Sequence, residues 1–137
     1  MGYKKTIVVD ANIIIAALIK NSRVRRILSK NMHEFVSPDF VLEEIEKYKD
    51  YICEKSGLKK EDIDILLTML LQTITILSTE EYTSSLSKAL EIMKNDKKDV
   101  PYVACYLAWN CDAIWTNDKD FEGKEEIIII KTEDFEE

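Results

Sequence analysis

The sequence predicts an α/β protein in which helices cover both faces of a mainly parallel sheet. Short segments rich in β-branched residues alternate along the chain with longer segments of helical spacing, which is the pattern of such folds. Segments such as Lys5–Val9 and Ile127–Lys131 are apolar without a regular polar alternation, as strands buried on both faces are. No linker, repeat or change of composition divides the 137 residues, so we expect one domain over residues 1–137.

The predicted elements follow one another in an alternating order, and the first strand, Lys5–Val9, ends at Asp10. The first two predicted helices are Asn12–Lys20 and, after a break at Asn21, Ser22–Lys30. Pro38 and Asp39 open a third helix, which runs to about Ser56 and is closed by Gly57. Three more helices are predicted: one after Lys59, one over Thr83–Asn95 and one over Asp99–Asn110. The other predicted strands are Glu34–Ser37, Ala113–Thr116 and Ile127–Lys131. The segment Thr73–Leu77 fits either a further strand or the tail of the preceding helix.

The composition restricts the chemistry that the protein can perform. His33 is the single histidine, which excludes catalysis by a histidine pair and argues against histidine-based zinc sites. The three cysteines lack metal-knuckle spacing, and their odd number argues against a disulfide framework, so we expect reduced thiols in a cytoplasmic protein. The apolar runs are too short to span a membrane, and the N-terminal segment lacks the pattern of a secretory signal. Catalysis must therefore rely on carboxylates, amides, hydroxyls or a bound ion.

Two acidic side chains follow predicted strands. Asp10 ends the first strand, and Asp118 comes shortly after the strand Ala113–Thr116. Binding sites in open α/β sheets form outside the carboxyl ends of the strands, so both side chains are candidates for one site. Each has a structural alternative, because Asp10 can cap the following helix, and Asp118, like its neighbour Asp120, can simply form a turn.

Two further acids stand on predicted helices. The helix from Pro38 has an inward apolar stripe formed by Val41, Ile45, Tyr48 and Ile52. Glu44 lies at the edge of this stripe, whereas Glu43 points further toward solvent. Asp99 precedes Pro101 at the start of a helix, where the helix N-terminus stabilises an anion. The structural alternatives are a surface residue for Glu44 and an N-cap for Asp99.

The four acids together are more specific than each alone, because a parallel sheet would gather them at one rim. One like-charge pair about 4 Å apart costs about 4 kcal/mol at an effective dielectric constant near 20, so the cluster needs protons or cations. Carboxylate oxygens without histidine or thiolate suit Mg²⁺ or Mn²⁺. Two such ions can stabilise the attacking water and the leaving oxygen of phosphodiester hydrolysis, without a covalent enzyme intermediate.

The segments that carry these acids resemble a known family. In order they read IVVDANIII, SPDFVLEEI and DVPYVACYLAWNCDAIWTNDKDF. This order is similar to that of the PIN domain, and it looks closest to the small prokaryotic group that includes the VapC-like toxins of toxin–antitoxin pairs. The resemblance covers essentially the whole chain. Its last segment is the most specific, because it joins an Asp at a helix start to a Thr-x-Asp-x-Asp turn after the next strand.

The resemblance implies a three-layer α/β/α fold with a parallel central sheet, and RNA cleavage that depends on Mg²⁺ or Mn²⁺. The implied catalytic and metal-binding acids are Asp10, Glu44, Asp99 and Asp118, with Asp120 as an accessory metal ligand. Asn12 and Thr116 match polar positions that support the site by hydrogen bonds. The family also implies frequent homodimers and, for its toxins, an antitoxin protein as partner.

The chain departs from the family pattern at two positions. The pair Glu43-Glu44 allows the second acid to shift by one residue, and helix geometry favours Glu44. Asn117 stands in the turn where many relatives have Gly, which bears on the backbone shape there.

Basic residues concentrate near the N-terminus, although the net charge of −7 by itself argues against nucleic-acid binding. All three arginines of the chain, Arg23, Arg25 and Arg26, lie in one predicted helix. For a PIN-type nuclease they predict a rim that contacts RNA phosphates, and the alternative is an ordinary charged helix face.

Two other functional classes fit parts of the pattern. Phosphotransfer domains also carry an Asp after the first strand, but a haloacid-dehalogenase-like phosphatase needs Asp-x-Asp, and position 12 is Asn. A receiver domain would need an adjacent acidic pair, which Val9-Asp10 does not provide. A PIN-like module that binds RNA or protein without cutting is the non-enzymatic alternative. The complete set of mutually repelling acids argues against it.

Overall fold

The centre of the fold is a five-stranded parallel sheet flanked by helices. The structure is a computed structural model, and it describes residues 4–20, 22–94 and 96–135. The strands are β1 (Thr6–Val9), β2 (Glu34–Pro38), β3 (Ile74–Leu77), β4 (Ala113–Trp115) and β5 (Ile129–Ile130). Their order across the sheet is β3-β2-β1-β4-β5, and every neighbouring pair is parallel. The three apolar residues of β1, Ile7, Val8 and Val9, are fully buried, as its central position requires.

The helices form two groups, one on each side of the sheet. They are α1 (Ala11–Ile19), α2 (Ser22–Ser29), α3 (Phe40–Lys47), α4 (Lys49–Ser56), α5 (Lys60–Leu71), α6 (Thr79–Tyr82), α7 (Leu86–Met93) and α8 (Val100–Ala108). Helices α1 to α5 pack on one another, whereas α8 packs on α6, α7 and the central strands. The three-layer α/β/α prediction is confirmed. Within the described ranges, no helix has the length and apolar character that crossing a membrane requires.

The strand order creates a crevice at the carboxyl edge of the sheet. From β1 the chain proceeds to β2 and β3 on one side, and then returns to place β4 on the other side of β1. Val9 pairs with Trp115, and the Asp10 N–H donates to the Trp115 carbonyl at 3.1 Å. Asp10 and Thr116 therefore follow adjacent strands at the point where the strand order reverses, which is where open α/β sheets bind ligands.

The prediction that Pro38 and Asp39 open a helix is confirmed for Asp39, which is the N-cap residue of α3, and wrong for Pro38, which belongs to β2. Pro38 is the last residue of β2 and pairs with Leu77, and α3 begins at Phe40. The Asp39 carboxylate accepts hydrogen bonds from the Thr79 N–H at 3.0 Å and the Thr79 hydroxyl at 2.7 Å, so its side chain contacts the first residue of α6. The contact of its side chain with Thr79, 40 residues away, could not be predicted from the local sequence.

The single helix predicted from Pro38 to Ser56 is two helices. Tyr48, with φ −99° and ψ 11°, separates α3 from α4 and is 40% exposed, so it does not belong to the inward stripe. The other predicted stripe residues, Val41, Ile45 and Ile52, are fully buried. Gly57 ends α4 with φ +75°, as predicted.

Two other boundaries differ from the prediction. The segment predicted as one helix, Thr83–Asn95, is a 3-10 turn at Thr83–Ser85 followed by α7, and its predicted end at Asn95 lies outside the described residues. The predicted break at Asn21 also lies outside them. The ambiguous segment Thr73–Leu77 supplies β3 at Ile74–Leu77, because it pairs with the buried β2.

Candidate metal centre

Asp10 is held in the crevice by Thr116. Asp10 is 3% exposed and precedes α1, but its side chain makes no capping hydrogen bond. Its Oδ2 instead accepts a hydrogen bond from the Thr116 hydroxyl at 2.7 Å, and the Thr116 hydroxyl accepts one from the Asp118 N–H at 3.0 Å. One buried hydroxyl therefore links the acids that follow β1 and β4.

Asp118 begins the turn after β4. Its Oδ1 accepts a hydrogen bond from the Asp120 N–H at 2.9 Å, so it has the turn-forming role that the sequence offered as an alternative. Asn117 exchanges hydrogen bonds with Thr132 and does not have a positive φ. Glycine is therefore not required at position 117, and the departure from the family pattern leaves the turn intact.

Glu44 is oriented by a buried tyrosine. Tyr102 on α8 is fully buried and donates its hydroxyl hydrogen to Glu44 Oε1 on α3. Burial and the Glu44 carboxylate raise the pKa of Tyr102, so the hydroxyl remains a donor at neutral pH. Glu44 is half-buried whereas Glu43 is exposed, so Glu44 is the member of the pair that faces the other acids. The sequence signal for Tyr102 was its position, one helical turn after Asp99.

Asp99 is the most unusual acid of the group. It precedes α8 but makes no capping hydrogen bond, and it is 4% exposed. Its Oδ2 is buried and has no hydrogen-bond partner among the described residues. Burial, together with the negative charges of Asp10 and Asp118, raises the pKa of Asp99 to about 7.

The predicted acids form one electrostatic group. Burial, with Glu44 and Asp118, raises the pKa of Asp10 to about 6, although the Thr116 hydrogen bond opposes this. The structure thus brings Asp10, Glu44, Asp99 and Asp118 together at the carboxyl edge of β1 and β4. The mutual repulsion of these carboxylates destabilises the folded protein, and a bound cation would offset that repulsion.

A second grouping includes an acid that the sequence analysis did not single out. Asp96, Asp99 and Asp120 each offer a carboxylate oxygen within 4.8 Å of the other two. Asp99 therefore belongs to both groupings. The donors are all oxygens, and one buried carboxylate oxygen lacks a partner within the described chain, so the residues fit a hard divalent cation such as Mg²⁺ or Mn²⁺.

The remaining predicted residues lie differently. Asn12 is exposed, and its side chain makes no hydrogen bond with the part of the chain that the structure describes. Arg23 donates a hydrogen bond to the Phe135 carbonyl at 2.9 Å. Arg25 donates one to the Ala17 carbonyl at 2.6 Å, and Ala17 lies near the C-terminal end of α1, whereas Asp10 precedes its N-terminal end. Arg26 donates to the Ser22 hydroxyl at 3.2 Å. Contact of these arginines with RNA stays a prediction.

The Tyr102–Glu44 hydrogen bond provides a test of the role of Glu44. We expect Tyr102→Phe to weaken Mn²⁺ binding about tenfold, because an outer hydrogen bond that fixes a ligand contributes about 10- to 100-fold to affinity. Isothermal titration with Mn²⁺ would measure this. Tyr106→Phe is a matched control on the same helix, since the Tyr106 hydroxyl binds the Ile128 N–H and not an acid. Equal Mn²⁺ affinity in the two variants would show that Tyr102 is only a core residue.

Comparison with known proteins agrees with this architecture. The sequence matches the PIN domain family over residues 8–132. Among solved structures, the crystal structure of VapBC2 from Rickettsia felis bound to a DNA fragment from their promoter matches with a TM-score of 0.66 and 20% identity, covering 92% of this chain and 98% of that chain. At that identity the match shows a shared fold. No curated protein gives a significant sequence match. Because the family match spans most of the chain and every predicted acid, the protein belongs to the PIN domain family.

Proposed function

We propose that the protein is a metal-dependent endoribonuclease, with residues 1–137 acting as one nuclease domain. The observation that carries this proposal is the buried Asp99 carboxylate, whose Oδ2 has no partner among the described residues and which is surrounded by other carboxylates. Such an arrangement is unfavourable for an unliganded protein and suits one that holds a cation. PIN domains are typically nucleases, so the proposed role of the cation is in the hydrolysis of phosphodiester bonds.

In this proposal Asp10, Glu44, Asp99 and Asp118 hold Mg²⁺ or Mn²⁺, with Asp120 as an accessory ligand. The bound ion supplies charge neutralisation at the phosphodiester and lowers the pKa of water. Thr116 fixes the Asp10 carboxylate and Tyr102 fixes Glu44. Glu44 Oε2, which accepts no hydrogen bond from the described residues, would be the Glu44 oxygen that contacts the ion. The chain's own contribution would thus be an ordered set of carboxylate oxygens.

Partners follow from the same family. The solved structure that this fold resembles contains VapBC2 bound to promoter DNA. We propose that this chain is likewise the toxin of a toxin–antitoxin pair and that an antitoxin protein binds it. We also propose that it forms homodimers and acts in the cytoplasm. Arg23, Arg25 and Arg26 would contact RNA phosphates, in addition to their hydrogen bonds within the chain.

Incubation with total RNA and Mn²⁺ tests the proposed activity. We expect the wild-type protein to cleave RNA, EDTA to stop cleavage, and Asp118→Asn to slow it at least about tenfold, since Asn keeps the turn hydrogen bond but loses the charge.

Asp62→Asn is the matched control, because Asp62 is exposed on α5 and its carboxylate makes no hydrogen bond or ion pair with the described residues. Equally strong cleavage by wild type and Asp118→Asn would remove the catalytic assignment. RNA binding without cleavage would instead favour a binding-only module.

A further inference from the structure

Two exposed lysines lie directly beside the acids of the crevice. Lys98 precedes Asp99, and Lys119 follows Asp118. Neither lysine forms an ion pair with a carboxylate of the described chain. Asp99 above all, with Asp118 and Asp120, raises the pKa of Lys98, so its ammonium lies close to the acidic group and stays charged. The mouth of the crevice therefore carries ammonium groups that are available to an anion from outside.

Tyr48 brings an exposed aromatic ring to the same place. It lies one helical turn after Glu44, and its N–H donates to the Glu44 carbonyl at 3.2 Å. Tyr48 also contributes to the pKa of Lys98, so the two side chains are neighbours. The Lys47 ammonium lies over the Tyr48 ring, 5.6 Å from its centroid. Because the helix is interrupted at Tyr48, the ring is 40% exposed and can be reached by a ligand.

An exposed aromatic ring beside free ammonium groups suits a nucleotide. A nucleobase can stack on the ring, and lysines neutralise the phosphates that flank it. Bases in a duplex are stacked on one another, whereas the bases of a single strand can turn outward and stack on a side chain. The carboxylates of the crevice repel a phosphodiester, and ammonium groups at its mouth would offset that repulsion. The charge and the ring together therefore favour single-stranded nucleic acid as the ligand.

We propose that Tyr48, Lys98 and Lys119 form a binding site for single-stranded RNA, in which a nucleobase stacks on Tyr48 and both ammonium groups contact phosphates next to the bond that is cut. This inference rests on the proposed function for the nature of the ligand, and it assigns residues that the family resemblance does not. The arginines of α2 would contact phosphates farther away, because Arg25 binds the Ala17 carbonyl near the C-terminal end of α1 and the acids lie at its N-terminal end.

Fluorescence anisotropy with a labelled, mixed-sequence single-stranded oligoribonucleotide tests the role of Tyr48. Binding would be measured in Mn²⁺ with the Asp118→Asn protein, in which slow cleavage keeps the RNA intact. We expect the added substitution Tyr48→Ala to weaken binding roughly 5- to 100-fold, because the loss of one base–aromatic stack has an effect of this size. Tyr48→Phe should restore the affinity, since it keeps the ring, and circular dichroism would verify that both variants fold.

Tyr51→Ala is the matched control for the ring. Tyr51 is 49% exposed and has the Lys55 ammonium 5.8 Å from its ring centroid, but it lies about one turn farther from Glu44. We expect this variant to bind the single strand with unchanged affinity. A duplex of the same sequence should bind more weakly than the single strand, and Tyr48→Ala should not change its affinity.

The salt dependence of the same binding tests the lysines. One ammonium–phosphate contact with a single strand contributes about 0.7 to the slope of log affinity against log salt concentration. Lys98→Ala and Lys119→Ala should therefore each reduce the slope by about 0.7. Lys88→Ala should leave it unchanged, because Lys88 lies on α7, where its ammonium is 3.9 Å from the Glu91 carboxylate.

An equal effect of Tyr48→Ala and Tyr51→Ala, or an equal loss with the duplex and the single strand, would overturn the nucleotide site. If Tyr48→Ala binds RNA normally while Asp118→Asn still loses cleavage, the nucleotide site fails and the proposed function stands. If the wild type cuts no RNA but Tyr48→Ala weakens single-strand binding, the proposed catalysis fails and the nucleotide site stands.

Discussion

Asp10→Asn is expected to lower the rate of RNA cleavage at least about 100-fold, which corresponds to about 3 kcal/mol of lost transition-state stabilisation. Asp10 is buried at the centre of the acidic group, so no neighbouring side chain can replace its charge. Asn can still accept the Thr116 hydrogen bond, so the variant should fold. Single-turnover cleavage in Mn²⁺ would measure the loss, and cleavage at the wild-type rate would exclude Asp10 from the catalytic set.

The same variant should lose at least half of the thermal stabilisation that Mn²⁺ gives the wild type. An ion at 100 times its dissociation constant adds about 2.7 kcal/mol to the stability of the folded state, which is a shift of several degrees in a domain of this size. The Asp62→Asn control should keep the full shift. A full shift in Asp10→Asn would mean that the stabilising ion binds elsewhere on this acidic protein.

The second large effect concerns stability without metal. Asp99→Asn should be more stable than the wild type in EDTA at pH 8, by up to about 4 kcal/mol, because the folded-state pKa of about 7 lies roughly three units above the ordinary value of 3.8. Below about pH 4 the Asp99 carboxyl is protonated in both the folded and the unfolded protein, so it does not lower the free energy of unfolding. Between pH 4 and 7 the unfolded chain releases this proton before the folded protein does, so wild-type stability falls. Above pH 7 the loss is complete.

Thermal unfolding of wild type and Asp99→Asn in EDTA from pH 4 to 8 would test this expectation. The gain from the substitution should grow with pH and level off above pH 7, and Asp62→Asn should show no such trend. In saturating Mn²⁺ the order should reverse, because Asp99→Asn removes a ligand. A gain that is independent of pH, or no gain at all, would show that the buried Asp99 charge does not strain the fold.

Much of the fold follows from local sequence patterns. The β-branched segment that forms β1 and the short apolar segment of β4 identify the central strands, because strands buried on both faces tolerate few polar residues. Asp10 follows β1 directly and Asp118 comes shortly after β4, so their approach could be predicted from parallel topology alone. Pro38 was misassigned because pairing with β3 extends β2 to that residue. Tyr48 was misassigned because the helix is interrupted there, which leaves its side chain exposed.

The rest of the candidate site depends on contacts between distant elements. Tyr102 fits the apolar face of α8, and its position one helical turn after Asp99 does not by itself indicate that its hydroxyl meets Glu44 on α3. Asp96 stands in a polar loop, and its approach to Asp120 arises only when the turn after β4 lies beside the start of α8. The hydrogen bonds of Arg23 and Arg25 to remote carbonyls are equally invisible in the sequence.

Anomalous diffraction from crystals soaked in Mn²⁺ would test most directly whether these acids hold a divalent cation. We expect a peak at the carboxyl edge of β1 and β4, with oxygens of Asp10, Asp99 and Asp118 at about 2.1 Å from it. An empty crevice, with Mn²⁺ only on scattered surface carboxylates, would contradict the account.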